Sequence, residues 1–232
     1  MTYKKAGFVH LQIITLCSNH YIVNTLTQTI TSFFFFTHTH THARTHTHTP
    51  AMAPVTLYDA SVGLFVKSLE TLSGILRKAK EHSPSDADSF VTARLAEDML
   101  PFSFQVQMVS NASKKTLERL VPQKGPYPVW EDNEKTLDEL IARVDKTLAL
   151  LKTIKPEDLA GKEDEVVEVK LGSQGSATVE GKGYALGYAL PNMFFHLAMA
   201  YAILRSRGVP VGKMDYLAPY FSPYILSRTP AA

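Results

Sequence analysis

The stretch from Pro191 to Leu217 reads PNMFFHLAMAYAILRSRGVPVGKMDYL. From Met193 to Ile203 nearly every side chain is apolar, and on a helix the apolar positions run all the way round. A helix without a wet face belongs in the middle of a bundle and not on its surface. Pro191 suits a first helical position, where the missing N–H has no intrahelical partner to lose. Arg205-Ser206-Arg207 followed by Gly208 supplies the basic last turn and glycine stop that a helix C-terminus favours. Val209-Pro210 then turns the chain away. Gly212 to Tyr216 reads as a short polar loop before a Pro- and Tyr-rich tail. One histidine, His196, sits inside this apolar helix.

Working outward from it, the residues just before have period two and not period 3.6. Val167, Val169 and Leu171 alternate with polar residues, Gly172-Ser173-Gln174-Gly175 makes a turn, and Ala177 and Val179 continue, which predicts a β-hairpin. The glycines from Gly172 to Gly187 have no strand–glycine–helix setting with a Lys-Ser signature, so they read as turn chemistry and not as a phosphate cradle. A third helix is predicted over Glu134 to Ile154, with Asn133 as N-cap and Leu137, Leu140, Ile141, Val144, Leu148 and Leu151 on one side. The proline-rich run before it is an extended connection that delivers Trp130 to the bundle end.

The second helix is predicted from Asp86–Asp88 to Lys115, with Leu95, Met99, Phe102, Val106, Val109 and Ala112 as its apolar stripe. Pro101 falls inside this pattern and kinks or splits the helix. A kink there sits beside Asp98, Gln105 and Gln107. The first helix is predicted from Thr56 to Lys80, on the stripe Val62, Phe65, Leu69, Leu72, Leu76 and Ala79, with Pro84 ending it. His82 is then a loop residue. Four helices with a hairpin before the fourth predict a mainly α protein, an antiparallel four-helix bundle.

The 232 residues carry a formal charge of +2, but the first fifty-one hold three basic residues (Lys4, Lys5, Arg44) and no acid. Setting those aside leaves 21 of the 24 basic residues against all 22 acidic ones, so residues 52–232 are close to neutral. That balance argues against nucleic acid or an anionic membrane as the main partner. The single cysteine, Cys17, also lies in the first fifty-one residues, so 52–232 contain no disulfide, thiol nucleophile or cysteine metal site.

Residues 37–49 read THTHTHARTHTHT. A CA dinucleotide tract read in triplets encodes alternating Thr and His, and the Phe33–Phe36 run before it is what a run of thymines encodes. The segment 1–51 therefore reads as a low-complexity leader of translated non-coding sequence, with Met52 the expected start of a domain over 52–232. His38, His40, His42, His46 and His48 would chelate nickel or zinc adventitiously. The leader is poor in arginine for a transit peptide and has no secretory cleavage site, so a cytoplasmic protein is expected. The sequence contains no segment of the ~20 apolar residues that a membrane span needs.

Two chemistries remain open for His196: a hydrogen-bonded core residue, or a ligand or acid/base centre. A catalytic zinc takes three protein ligands. With only His82 and His196 beyond the leader, such a site needs carboxylates, and Asp98 and Asp215 are the nearest candidates. Tyr201, Arg205, Lys213 and Asp215 read equally well as a polar network pinning the C-terminal segment.

ARLAEDMLPFSFQVQMVSNA (93–112), the Gly-rich hairpin and LPNMFFHLAMAYAILRSRGVPVGKMDYL (190–217) together resemble the DUF1993 family, which is grouped with the DinB/YfiT-like metalloenzymes. The resemblance covers roughly 56–218 and implies a DinB-like four-helix bundle, often a homodimer in the wider superfamily. Its better-known members bind a divalent metal through three histidines, and some are thiol-dependent transferases or isomerases. Of that ligand set His196, in the FFH motif, has a counterpart. Ala200 replaces the second histidine of the pair, and helix two offers Asp98 and Gln105 in place of the third.

The expected protein is thus a DinB-like bundle lacking the three-histidine site. It would act as a binding or interaction module, homodimeric, toward an unknown small molecule or protein. The rival is a thiol-transferase-like enzyme with a divalent metal, zinc or nickel, held by His196, Asp98 and Asp215. A helix-turn-helix DNA reader would need a basic exposed helix, and the last helix is too apolar for that.

Overall fold

The computed structural model describes residues 54–227, so the Thr-His leader, Cys17 and Met52 lie outside the described residues. The first helix starts as expected. Thr56 and Asp59 cap each other, the Asp59 N–H donating to Thr56 Oγ1 at 3.1 Å and the Thr56 N–H to Asp59 Oδ2 at 3.0 Å. A π-helical turn, Asp59–Gly63, leads into α1, Leu64–His82, which buries Phe65, Leu69, Leu72, Ile75, Leu76 and Ala79.

α2 spans Phe102–Leu120, and this corrects its expected start at Asp86–Asp88. Residues 86–101 are instead a 3₁₀ turn, Ala87–Phe90, and a loop that folds back over the helix end. The Phe102 N–H donates to the Ala93 carbonyl at 2.8 Å and the Ser103 N–H to the Val91 carbonyl at 3.0 Å, which satisfies two of the first-turn donors. Pro101 does not kink a long helix; it precedes a shorter one. Leu95, placed on the core stripe by periodicity, is exposed, and Met99 on the same stripe is only half-buried.

α3 spans Leu137–Leu151. Its N-cap is Thr136 and not Asn133: Thr136 Oγ1 accepts from the Glu139 N–H, and Glu139 Oε2 accepts from the Thr136 N–H at 3.0 Å. Trp130 lies between Lys114 of α2 and Lys146 of α3, whose ammonium groups are 6.0 and 4.8 Å from its ring. It bridges two helices along their length and does not close the bundle end. The hairpin forms as expected from β1, Val166–Lys170, and β2, Ser176–Glu180, antiparallel with Val167 opposite Val179.

The last bundle helix begins at Gly181, ten residues before the proline expected to open it. Gly181–Tyr184, a π-helical turn Ala185–Ala189 and Leu190–Ser206 follow one another with helical dihedrals at the joins, and together form α4 (181–206). Pro191 lies inside it. Its missing N–H and its ring would break a regular α-helical ladder, and the wider π turn just before it accommodates both. Gly181 has a steric reason: a Cβ there would lie 2.3 Å from the Lys162 carbonyl oxygen. Only glycine lets the hairpin exit pass so close.

The expected polar loop after α4 is a fifth helix, α5, Lys213–Phe221. Asp215 accounts for it, its carboxylate accepting from the Gly212 N–H at 2.6 Å and so satisfying the helix start. Tyr216 and Tyr220, one turn apart, stack on each other and meet Tyr201 and Phe194 of α4 edge to face. Tyr220 also bonds Ser68 of α1 at 2.7 Å, and burial pushes its hydroxyl pKa upward.

The four long helices make two antiparallel pairs. α1 and α3 face each other through Arg77–Asp145, Lys80–Asp138 and Lys152–Glu70, and α2 and α4 through Gln105–His196 and Thr116–Tyr184. α3 packs on α2, α4 packs on α1, and α5 lies over α1. α4 is not encased, because in a four-helix bundle every helix keeps an outer side. Leu186, Tyr188 and Phe195 of α4 are accordingly exposed. No helix among the described residues is long and apolar enough to cross a membrane.

Candidate functional site

His196 is half-buried and meets α2 at one residue. Its Nδ1 lies 2.8 Å from Gln105 Oε1, while Gln105 Nε2 donates to the Leu100 carbonyl at 3.1 Å. The Leu100 carbonyl can only accept, so it orients the amide with its oxygen toward the imidazole. Nδ1 must then carry the proton, and in the neutral ring Nε2 is an acceptor. Burial depresses the His196 pKa below its ordinary value, which favours that neutral form. Phe104 and Phe195 press ring edges against the imidazole, at centroid distances of 5.9 and 5.2 Å.

The other sequence candidates are scattered. Asp98 is exposed in the loop before α2. Asp215 sits at the α1–α5 seam, where Lys78 Nζ donates to its two oxygens at 3.1 and 2.9 Å. The Gly212 N–H and then Lys78 hold its carboxyl below the usual range. Tyr201 donates to the Val211 carbonyl at 3.2 Å, so it and Asp215 do pin the C-terminal segment. Arg205 and Lys213 are exposed and add nothing to that network. Among the described residues no three His, Cys, Asp or Glu side chains converge on a position suited to a metal. An amide already bonded and two aromatic edges are also poor donors for zinc or nickel. The residues around His196 do not fit the divalent metal of the wider superfamily.

What the structure does assemble at His196 is a groove of about 500 Å³ between α2 and α4. α4 contributes Tyr184, Tyr188, Asn192 and His196, spaced four apart, and α2 contributes Met108, Ala112, Lys115 and Arg119, spaced four, three and four. These two spacings put each set on one helical face. Lys170 reaches in from β1. At the far end from His196, Arg119 donates to the Glu168 carbonyl at 2.9 Å and to the Tyr184 hydroxyl at 3.1 Å. Its guanidinium stands 5.1 Å from the Tyr184 ring centre, and Tyr184 stacks on Tyr188. The π turn falls in this wall, a place where such turns frequently serve function.

Of this lining, the sequence reading found only His196. The signal for the rest is the spacing Tyr184, Tyr188, Asn192, His196, which a helix start at Pro191 conceals because it leaves the first two outside the helix.

Comparison with known proteins agrees with this architecture. A crystal structure of a DinB family member protein from Shewanella denitrificans matches with a TM-score of 0.64 and 34% identity, over 75% of this chain and 96% of that one. No curated protein matches the chain. The family model of DUF1993, a domain of unknown function, matches residues 57–217. Bundle, hairpin and FFH helix therefore have one explanation: the chain belongs to the DUF1993 family and has a DinB-like fold.

Proposed function

We propose that this protein is a binding module that holds a small organic molecule in the α2–α4 groove, with the Gln105–His196 pair standing where a metal centre would be expected. The observation that carries this reading is the pair itself. Gln105 commits Nδ1 of His196 and fixes its tautomer, so the groove receives one neutral acceptor nitrogen, with no three His, Cys, Asp or Glu side chains gathered to hold a cation among the described residues. A groove of this size lies within the ~300–1,000 Å³ typical of small-molecule sites.

Elemental analysis tests it directly. The full chain would be prepared with His38, His40, His42, His46 and His48 replaced by Asn, with and without His196→Ala. No stoichiometric zinc or nickel is expected in either protein. One equivalent of metal that disappears with His196→Ala would overturn the binding-module reading in favour of a metal-dependent, thiol-transferase-like enzyme. Homodimerisation belongs to the same proposal, supported by the exposed Leu186 and Phe195 on α4. Sedimentation equilibrium giving a monomer at micromolar concentration would remove that part.

A further inference from the structure

We infer that the ligand of the α2–α4 groove is an amphipathic organic anion, its carboxylate or phosphate head held by Lys115, Arg119 and Lys170 and its apolar body lying toward His196. This rests on the binding-module reading and adds the ligand's chemistry to it. Charge is the first reason. Residues 52–232 are nearly neutral, yet three cations from two separate elements line one end of a single groove. The one carboxylate there, Glu118, is engaged by Lys114 at 3.0 Å. Lys115 and Lys170, the two lysines on this groove, form no ion pair among the described residues and so leave their charge available to a ligand. A cleft lined by one sign of charge concentrates ligands of the other.

Preorganisation is the second. Arg119 is stacked on Tyr184 and anchored through Nε and Nη1, so little side-chain freedom remains to be lost when an anion arrives. Shape is the third. Tyr184 and His196 stand twelve positions apart on α4, about 18 Å at the α-helical rise, so the groove is elongated. Its middle is lined by Met108, Ala112, Tyr188 and Ala189, which offer apolar and aromatic contact but no charge. Methionine adapts its shape to an irregular apolar body. A short inorganic anion would leave this middle section empty, and a neutral apolar molecule would leave the cations without a partner.

Isothermal titration calorimetry of the full chain at pH 7 tests the inference with four probes of equal chain length: decanoate, decyl phosphate, decanol and decyltrimethylammonium. At least one of the two anions is expected to bind one to one, at least tenfold more tightly than decanol or the cation. The two anion arms separate a carboxylate from a phosphate head. The double variant Lys115→Gln/Lys170→Gln is expected to lose at least tenfold in anion affinity with an unchanged thermal midpoint. Lys213→Gln, on α5, is expected to bind as wild type. Equal binding of decanol and both anions, or full affinity in the double variant, would overturn the anionic class. The His196 ring-proton NMR signals distinguish the two levels of failure. Decanol shifting them without preference for an anion leaves the groove as the binding site and removes only the charge assignment; no shift with any of the four probes removes both.

Discussion

α2 presents polar residues to two neighbours, and the two seams treat them oppositely. Toward α3 they are paired inside the protein. Arg143, fully buried, donates to Glu134 at 2.7 Å, Asp132 at 2.6 Å, Asn111 at 2.8 Å and the Glu131 carbonyl at 2.9 Å. Gln107 donates to Glu134 at 3.0 Å, and Ser110 meets Thr147 at 2.8 Å. Burial alone would raise the Glu134 carboxyl, but the bonds from Arg143 and Gln107 prevail and hold it below the usual range. Toward α4, Gln105 binds His196, and beyond that the seam opens into a groove whose lysines have no partner among the described residues. Networks of this kind, here satisfied except at the buried Arg143 Nε, hold helices in register, whereas a site needs polar groups left available. One helix therefore closes a polar network on one side and borders an open groove on the other.

The largest test of this contrast is Arg143→Ala. It strands the nearly buried Glu134 carboxylate, so a loss of about 3–5 kcal/mol is expected in urea unfolding. A loss under about 1 kcal/mol would mean that the α2–α3 network is not structural. Ser110→Ala is a milder probe of the same seam. Thr147 keeps its bond to the Arg143 carbonyl, so about 1 kcal/mol is expected from the same unfolding curves.

On the groove side, His196 makes a pH-dependent contribution whose sign follows from its depressed pKa. The unfolded chain takes up a proton near the ordinary value of 6.5, before the folded one does. Stability should therefore fall as pH drops below 6.5 until the folded imidazole also titrates. His196→Gln should flatten this part of the profile, while the acid limb from Glu134 and Asp215, both depressed in the fold, remains at lower pH. An identical slope above pH 5 in wild type and variant would contradict the buried neutral imidazole. The smallest effect belongs to Lys115→Gln, expected to change stability by less than about 0.5 kcal/mol. A larger loss would make Lys115 part of the framework and weaken the distinction between the two seams.

Part of this architecture is legible in the sequence. The stripe of Phe65, Leu69, Leu72, Leu76 and Ala79 located α1 because a surface helix must repeat its apolar face every three or four residues. Val167 and Val169 located β1 through the period of two. The stripe failed at Leu95 and Met99, where the spacing persists but the backbone is a loop. The Ala93 and Val91 carbonyls satisfy the first donors of α2 at Phe102 and Ser103, and no helical turn is needed upstream. It failed again at Pro191, since a proline at a helix start and one tolerated behind a π turn look alike in one dimension. Asp215 was read as a metal candidate because a carboxylate near a histidine in sequence cannot be told from one that caps a helix and pairs with Lys78.

The sequence by itself thus determined the class of fold, the hairpin, the family and the special position of His196, because each depends on short-range periodicity or on a contiguous motif. The tertiary structure decided what His196 touches, that Asp98 and Asp215 are elsewhere, and that Lys115, Arg119 and Lys170 share one groove with Tyr184 and Tyr188. Those are questions of which helix faces meet and in what register. Side chains from α2, β1 and α4, distant along the chain, acquire a common chemistry only when packing brings their faces together.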